Sequence, residues 1–128
     1  MKTKPTKMKK VLVVDDSDAN RMLLGAILTK LGLSVEYAED GDEAVHKFLQ
    51  LLPDVVFMDH IMPTKNGADA LREMKDHDKD FVGFLMSAYS DPDEIKIIFE
   101  LSRAEEFIYK PIEFGKIEEL LKKYKIIS

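Results

Sequence analysis

The sequence predicts an α/β fold: a doubly wound sheet of five parallel strands flanked by five helices. Two observations predict it. Short apolar runs alternate strictly with segments whose apolar residues recur at helical spacing. Several of these runs also stop at charged or hydroxyl side chains, as strands do when their carboxyl ends border a site. Strands that alternate with helices require right-handed crossovers, which place helices on both faces of a parallel sheet.

The first strand is predicted at about Lys10 to Val14, directly before Asp15 and Asp16. Asp18 is the predicted cap of a helix that extends to Leu31, and Gly32 ends it. Its predicted inward residues are Met22, Leu23, Ala26, Ile27 and Leu31.

The second strand is predicted at Ser34 to Ala38, and Asp40 is the predicted cap of the following helix. Glu43 stands three residues after this cap, which is the capping-box spacing, and Pro53 closes the segment. The predicted inward residues of this helix are Ala44, Val45, Phe48 and Leu49.

The third strand is the run 55–58 with Asp59 at its end, and the third helix is predicted from about Gly67 to Lys75. The fourth strand is the run 81–86 before Ser87. Of the methionines, Met22, Met58, Met74 and Met86 are predicted to fill the core.

The segment 91–94, Asp-Pro-Asp-Glu, combines a cap, a proline in the first turn and a glutamate three residues after the cap, so it predicts a helix start. A short strand at 107–109 then stops at Lys110 and Pro111, and a last helix is predicted from about Glu113 to Tyr124. The apolar residues assigned to these two helices are Ile95, Ile98, Phe99 and Leu101 in the former and Ile117, Leu120 and Leu121 in the latter.

Length and composition limit the class of protein. A chain of 128 residues with 45% apolar residues predicts one folded domain and excludes a disordered chain. The absence of cysteine excludes disulfides, thiolate metal sites and cysteine nucleophiles. A net charge of −5 disfavours nucleic acid as a direct partner.

Residues 1–8 are predicted to form a flexible basic tail before a domain at 9–128. The lysines Lys2, Lys4, Lys7, Lys9 and Lys10 favour a solvated terminus over a phosphate-binding arm. Because only four apolar residues follow before two aspartates, neither an export signal nor a membrane span is predicted, and a cytoplasmic protein is expected.

The polar residues at the strand ends predict a metal site. Carboxyl ends of parallel strands lie along one edge, so Asp15, Asp16, Asp59, Ser87 and Lys110 are expected to converge there. Carboxylates about 5 Å apart repel pairwise by roughly 3 kcal/mol at an effective dielectric near 20, which favours a divalent cation. Magnesium suits such oxygen ligands.

Each of these residues taken singly has an ordinary structural explanation. Asp15 and Asp16 are also typical turn formers, Lys110 could be a surface cation, Ser87 could begin a loop, and Phe107 could be a core aromatic.

Taken together and in order, these residues resemble the receiver domain of response regulators in two-component systems. The resemblance extends from about Lys9 to the C-terminus. The matching positions are Asp15-Asp16, Asp59 with Met62-Pro63 and Gly67, Ser87-Ala88, Phe107 and Lys110-Pro111. It implies a flavodoxin-like sheet with strand order 2-1-3-4-5, an order that is taken from the chemotaxis receivers and not worked out from the pattern.

The resemblance also implies the roles of the site residues. Asp59 would accept a phosphoryl group from the phosphohistidine of a sensor kinase or a histidine phosphotransfer protein. Asp16 and Asp59 would bind Mg²⁺ directly, Asp15 mostly through water, and Ile61 through its backbone carbonyl. Lys110, aimed inward by a cis Pro111, would neutralise phosphoryl charge. Such a domain catalyses its own phosphotransfer and dephosphorylation and is not a turnover enzyme.

Switching is implied in the same way. Ser87 would bind the phosphoryl group and Phe107 would follow it, which couples the site to the face of helix four, strand five and helix five. That face would bind a downstream effector or form a homodimer. Arg103 departs from the glycine usual before strand five, so either the helix ends differently or the turn is strained by about 1 kcal/mol.

Four further hypotheses concern His60, two competing functions and the relatives of the N-terminal stretch. His60 is expected to be structural, because successive strand residues alternate and its side chain should point away from the pocket. A phosphatase of the haloacid-dehalogenase type is disfavoured, since it needs a second aspartate where this chain has Ile61. A degenerate receiver that acts as a phosphorylation-independent interaction module is the alternative function. The stretch 13–21 is similar to receivers of hybrid kinases and phosphorelay intermediates.

Overall fold

The structure, a computed structural model, describes residues 8–78, 80–88 and 91–128. The predicted basic tail therefore lies outside the described residues except for Met8. In the described ranges the strands are β1 (Lys10–Val14), β2 (Ser34–Ala38), β3 (Val55–Asp59), β4 (Val82–Ser87) and β5 (Glu106–Tyr109). The helices are α1 (Asp18–Lys30), α2 (Gly41–Leu51), α3 (Gly67–His77), α4 (Pro92–Ser102) and α5 (Phe114–Lys123).

The strands form one parallel sheet in the order β2-β1-β3-β4-β5, which confirms the expected topology. Every residue of the central strand β3 is buried, as its continuous apolar run predicts for a strand covered on both faces. The edge strand β2 is only partly covered. The central strands therefore hold the sheet together, and their carboxyl ends form a rigid base for the loops above them.

Buried apolar side chains of the described residues form two clusters, one on each face of the sheet. Val11 and Val13 of β1 face the cluster under α1 and α5, while Leu12 and Val14 face the cluster under α2 and α3. This division follows from the alternation of strand side chains. The apolar residues assigned to α5, Ile117, Leu120 and Leu121, are all buried.

Helix α1 differs most from its prediction. Ser17, not Asp18, is the N-cap, and its hydroxyl accepts a hydrogen bond from the Asn20 N–H at 3.3 Å. Met22 is 74% exposed and Leu23 is 46% exposed. The buried stripe consists of Leu24, Gly25, Ile27 and Leu28, whereas Ala26 is also exposed. Apolar residues occupy almost every position from 22 to 28, so spacing alone did not define the inward face.

One other inward assignment was wrong. Leu49 is 46% exposed, because the stripe of α2 that faces the sheet is already filled by Ala44, Val45 and Phe48. Of the apolar residues assigned to α4, Ile95 is buried and Leu101 is 50% exposed. The remaining core methionines, Met58, Met74 and Met86, are fully buried as predicted.

The predicted helix caps at Asp40 and Asp91 are confirmed. The Asp40 carboxylate accepts from the Glu43 N–H at 2.8 Å, and that of Asp91 accepts from the Asp93 N–H at 2.9 Å. The Glu43 carboxylate accepts from the Glu39 N–H at 2.6 Å, so the capping box reaches one residue further back than predicted.

Arg103 adopts the left-handed conformation, with φ 58° and ψ 26°, so the predicted strained turn is the one that forms. Its guanidinium donates to the Arg72 carbonyl at 3.1 Å and pairs with Asp76. These contacts join the C-terminal ends of α3 and α4.

An ion pair between buried Lys75 and partly exposed Glu105 lies at the amino edge of the sheet. Lys75 is 4% exposed, and its Nζ donates to the Phe81 carbonyl at 2.7 Å and to Glu105 Oε1 at 2.9 Å. The same Glu105 oxygen accepts from the Gly83 N–H at 2.6 Å. This network joins α3 to the starts of β4 and β5. Within the described ranges, no helix is both long and apolar enough to cross a membrane.

Candidate functional site

The carboxyl edge of the sheet brings together three acidic residues that are distant in the chain. Asp15 and Asp16 follow β1, and Asp59 is the last residue of β3, the neighbouring strand. One carboxylate oxygen from each of the three lies within 4.8 Å of the others. The predicted convergence of these side chains therefore occurs.

The members of this acidic cluster differ in burial. Asp15 is 1% exposed and Asp59 is 6% exposed, whereas Asp16 faces solvent. Asp15 is held on two sides: its Oδ1 accepts from the Ser17 N–H at 2.9 Å, and its own N–H donates to the Ala38 carbonyl at 3.2 Å. The cluster thus consists of two buried carboxylates, one of them held by hydrogen bonds, and one carboxylate that is open to solvent.

Lys110 supplies the positive charge of the site. Its Nζ lies 2.8 Å from Asp15 Oδ2 and 3.0 Å from Asp59 Oδ1. The Lys110 backbone N–H donates to the Ser87 carbonyl at 3.0 Å, which continues the pairing of β4 with β5, and the peptide bond to Pro111 is cis. The ammonium therefore lies against both buried carboxylates.

The electrostatics of the site shift the pKa of Asp59. Burial, and then repulsion from Asp15, raise the pKa of this carboxyl from 3.8 to about 6, although Lys110 opposes the change. Burial disfavours the charged form of Lys110, but its hydrogen bond to Asp15 and its attraction to Asp59 outweigh this effect and raise its pKa. The site thus has a firmly charged cation beside a carboxyl that ionises near neutral pH.

Ser87 and Phe107, the predicted switch residues, lie on neighbouring strands. Ser87 is buried at the end of β4 and pairs in register with Tyr109 of β5. Phe107 is half-buried, packs against the cluster under α2 and α3, and makes an edge contact with the Tyr109 ring at 4.9 Å between centroids. Ile61, whose carbonyl is a predicted ligand, lies in the loop after β3 and is 58% exposed.

His60 faces α3. Its Nδ1 accepts a hydrogen bond from the Ala68 N–H at 3.3 Å, near the start of that helix. Burial lowers the pKa of the imidazole, which favours the neutral form that accepts this bond. The contact agrees with the structural role expected for this residue.

Arg21 is a site neighbour that the sequence reasoning missed. One guanidinium nitrogen donates to the Asp15 carbonyl at 2.6 Å, and the other pairs with Asp18 and approaches Glu39 at 3.5 Å. Arg21 therefore supports the backbone beneath the acidic pair. The available signal was a basic residue in the first turns of α1, just after that pair, but its side-chain direction is not visible in the sequence.

The donor set fits a hard divalent cation. Carboxylate oxygens, with one exposed member that leaves room for water, are the ligands typical of Mg²⁺. The described residues place no imidazole in this cluster, and the chain has no thiol. The arrangement can bind a small oxygen-seeking cation and present Asp59 as a nucleophile beside an ammonium group.

Comparison with known proteins gives a consistent result. Residues 11–122 match the response regulator receiver domain. The chain is 38% identical over 118 residues to the chemotaxis protein CheY of Thermotoga maritima, which covers 90% of this chain and 96% of that protein.

Solved structures agree with this match. A CheY-like receiver domain protein from Methanospirillum hungatei, 22% identical and with 94% of both chains covered, superposes with a TM-score of 0.86 and shows the fold. The response regulator TrrA of Thermotoga maritima, in complex with Mg²⁺ and BeF, is 34% identical, with 91% of this chain and 98% of that chain covered and a TM-score of 0.81.

Proposed function

This chain belongs to the response regulator receiver domain family, and from that premise we propose that Asp59 accepts a phosphoryl group from a phosphohistidine donor. The donor would be a histidine kinase or a histidine phosphotransfer protein. The phosphorylated domain would then signal through the face formed by α4, β5 and α5.

One observation carries this proposal: the position of Lys110 Nζ, 3.0 Å from Asp59 and 2.8 Å from Asp15. A carboxylate that attacks an anionic phosphoryl group needs fixed positive charge beside it, because most catalysis of phosphoryl transfer is electrostatic. Lys110 supplies such a charge at the nucleophile.

In the proposed reaction a carboxylate oxygen of Asp59 attacks the phosphorus atom of the donor. A P–O bond forms, the P–N bond breaks, and its electron pair stays on the imidazole nitrogen of the donor. Dephosphorylation is a separate reaction, in which water attacks the phosphorus, the P–O bond to Asp59 breaks, and inorganic phosphate leaves, so that the carboxylate is restored. The domain thus catalyses its own phosphorylation and dephosphorylation and does not turn over a separate substrate.

The carboxyl of Asp59 must be ionised to attack. Its pKa of about 6 leaves most of it charged at neutral pH. Lys110 keeps its proton and orients the nucleophile, while Asp15 keeps Lys110 in place. When the other ring nitrogen of the donor already carries a proton, breaking the P–N bond releases neutral imidazole, so the reaction needs no proton from this chain.

Asp15, Asp16 and Asp59, with the Ile61 carbonyl, would hold Mg²⁺. Such an ion supplies charge neutralisation for phosphoryl oxygens. Support comes from TrrA, which was solved with Mg²⁺ and BeF, a fluoride complex whose anionic form resembles a phosphoryl group in shape and charge.

In the proposed switch, the buried Ser87 hydroxyl would donate a hydrogen bond to the new phosphoryl group. The Phe107 side chain would then move into the space that Ser87 vacates. One charge-assisted hydrogen bond contributes roughly 1.5 to 3 kcal/mol. Converting a 1:99 population into 99:1 needs about 5.5 kcal/mol, so Lys110 must share the bias with Ser87. The face of α4, β5 and α5 would then bind an effector or a second copy of the domain.

The deciding experiment is incubation with a small phosphodonor such as phosphoramidate and Mg²⁺, followed by intact mass spectrometry. We expect a gain of one phosphoryl group in the parent and none in Asp59→Asn. Chelation of the metal with EDTA should remove the gain. Equal phosphorylation of Asp59→Asn would contradict the proposal, and absence of phosphorylation in the parent would favour a phosphorylation-independent interaction module.

A further inference from the structure

The first turn of α2 makes close contacts with the loop after β3, residues 60–66. The N-terminal N–H groups of a helix have no partner within the helix and must find one elsewhere. The Glu43 N–H uses the Asp40 side chain. The Asp42 N–H instead donates to the Thr64 hydroxyl at 3.3 Å, and the Gly41 N–H donates to the Pro63 carbonyl at 3.5 Å. Two of these three donors are therefore satisfied by the loop.

Side chains reinforce the same contact. The Thr64 hydroxyl donates to Asp40 Oδ1 at 3.3 Å, so it joins the cap of α2 to the loop. Thr64 adopts a left-handed backbone with φ 68°, an unusual conformation for a β-branched residue, which requires compensating contacts. Lys65 Nζ lies 3.9 Å from Asp42 Oδ1 and pairs with Glu73 of α3.

Gly41 makes this close approach possible. A Cβ added to Gly41 would lie 2.3 Å from the Lys65 carbonyl oxygen and 2.9 Å from its carbonyl carbon. Both are backbone atoms, so the overlap cannot be relieved by turning a side chain. Because the φ of Gly41 is not in the left-handed region, the requirement for glycine at this position is steric.

The loop held in this way begins beside the nucleophile. It follows Asp59 directly and contains Ile61, whose carbonyl is an expected ligand. We propose that the first turn of α2 positions this loop for metal binding, and that Gly41 and Thr64 are positioning residues of the metal site. The inference deepens the proposed function and rests on it.

The position of the loop matters for metal binding because a carbonyl oxygen contributes only when it is in direct contact with the ion. Residues that orient metal ligands typically contribute 10-fold to 100-fold in metal affinity. An overlap of the size found at Gly41 forces the loop backbone to move, and the carbonyl of Ile61 lies four residues before the point of overlap.

The test compares Mg²⁺ affinity among variants of the full chain by isothermal titration calorimetry. In Gly41→Ala we expect Mg²⁺ to bind about tenfold or more weakly than in the parent. Thr64→Val keeps the shape of the side chain but removes the hydroxyl, and it should weaken binding in the same direction by a smaller factor.

Gly115→Ala is the matched control. Gly115 is also in the first turn of a helix, and a Cβ added to it meets no atom within 4 Å. Its Mg²⁺ affinity should equal that of the parent. Thermal unfolding of each variant identifies a common temperature at which all are folded, so that loss of folded protein is not counted as loss of affinity.

A second measurement needs no metal. Backbone amide NMR shifts of residues 60–66 in Mg²⁺-free buffer should change in Gly41→Ala and remain parent-like in Gly115→Ala. If Gly41→Ala does not fold, the test rests on Thr64→Val, whose Mg²⁺ affinity and amide shifts of residues 60–66 are compared with those of the parent.

The outcomes separate the inference from the proposed function. If the parent does not bind Mg²⁺, the proposed function fails and the inference fails with it. If the parent binds Mg²⁺ and both Gly41→Ala and Thr64→Val bind it within twofold of the parent, only the positioning role of α2 is overturned.

Discussion

Asp15 and Lys110 lie 95 residues apart in the chain, yet the Lys110 Nζ is 2.8 Å from Asp15 Oδ2. The pair bridges the loop after β1 to the end of β5, across β3 and β4. Because Lys110 also contacts Asp59, it already screens the two buried carboxylates from each other. A metal ion or phosphoryl group that enters the site must rearrange these contacts.

The first prediction concerns Asp59 and pH. Its folded-state pKa of about 6 exceeds the ordinary value of 3.8, so the folded state retains this proton longer than the unfolded state. The favourable contribution is complete below about pH 4 and is lost as pH rises through about 6. Asp59→Asn should therefore stabilise the protein by on the order of 2 kcal/mol at pH 8 and by little at pH 4.

Urea unfolding of the parent and Asp59→Asn across this pH range, in Mg²⁺-free buffer, measures this effect. A stability gain that does not depend on pH would show that the asparagine acts through packing and not through charge.

The second prediction concerns Mg²⁺ and Asp16. A ligand that binds only the native state stabilises it by about 2.7 kcal/mol at a hundredfold excess over its Kd. The melting temperature of the parent should therefore rise in millimolar Mg²⁺, and Asp16→Ala should lose most of this increase. Glu119→Ala, which removes an exposed carboxylate of α5 far from the cluster, should keep it. A parent stabilised by Zn²⁺ but indifferent to Mg²⁺ would identify a different metal.

The third prediction separates phosphorylation from signalling. Ser87→Ala keeps the nucleophile, the acidic residues and Lys110, so it should still accept a phosphoryl group. It lacks the hydrogen bond that exists only with that group, and only such a differential contact shifts a conformational equilibrium.

Amide NMR shifts around Phe107 and over residues 95–103, with and without a beryllofluoride phosphoryl mimic, test this separation. Parent-like shifts in Ser87→Ala would show that the signal does not pass through Ser87.

The fourth prediction concerns the left-handed turn at Arg103. Arg103→Gly and Arg103→Ala both lose the contacts to Arg72 and Asp76, but only glycine removes the backbone strain at φ 58°. The glycine variant should therefore be the more stable of the two by about 1 kcal/mol. Chemical denaturation measures the difference, and equal stabilities would mean that the turn rearranges in the alanine variant.

The sequence predicted the convergence of Asp15, Asp16, Asp59 and Lys110 because parallel strands place their carboxyl ends along one edge. That argument needs only the ends of apolar runs. The strand order, in contrast, came from the resemblance to receivers, since local patterns do not specify which strands are neighbours.

Contacts that depend on side-chain direction or on distant loops were not predictable. Arg21 reaches Asp15 and Glu39 only because α1 and β2 lie side by side in the folded chain. The tight fit of Gly41 against Lys65 depends on a helix start and a loop that are separate in sequence. The inward face of α1 was assigned incorrectly because the helix carries apolar side chains of its own on almost every side.

The ion pair between buried Lys75 and partly exposed Glu105 has a consequence for recombining this domain with its relatives. It lies at the edge of the sheet opposite the acidic cluster, and it joins a helix to the strand starts that follow it in the chain. A chimera with its crossover between positions 75 and 105 would inherit one partner without the other. Without Glu105, the ammonium of Lys75, which is 4% exposed, would be buried without its ionic partner, which destabilises a small domain. Crossovers on either side of this interval keep the pair intact, so they define the exchangeable blocks of the chain.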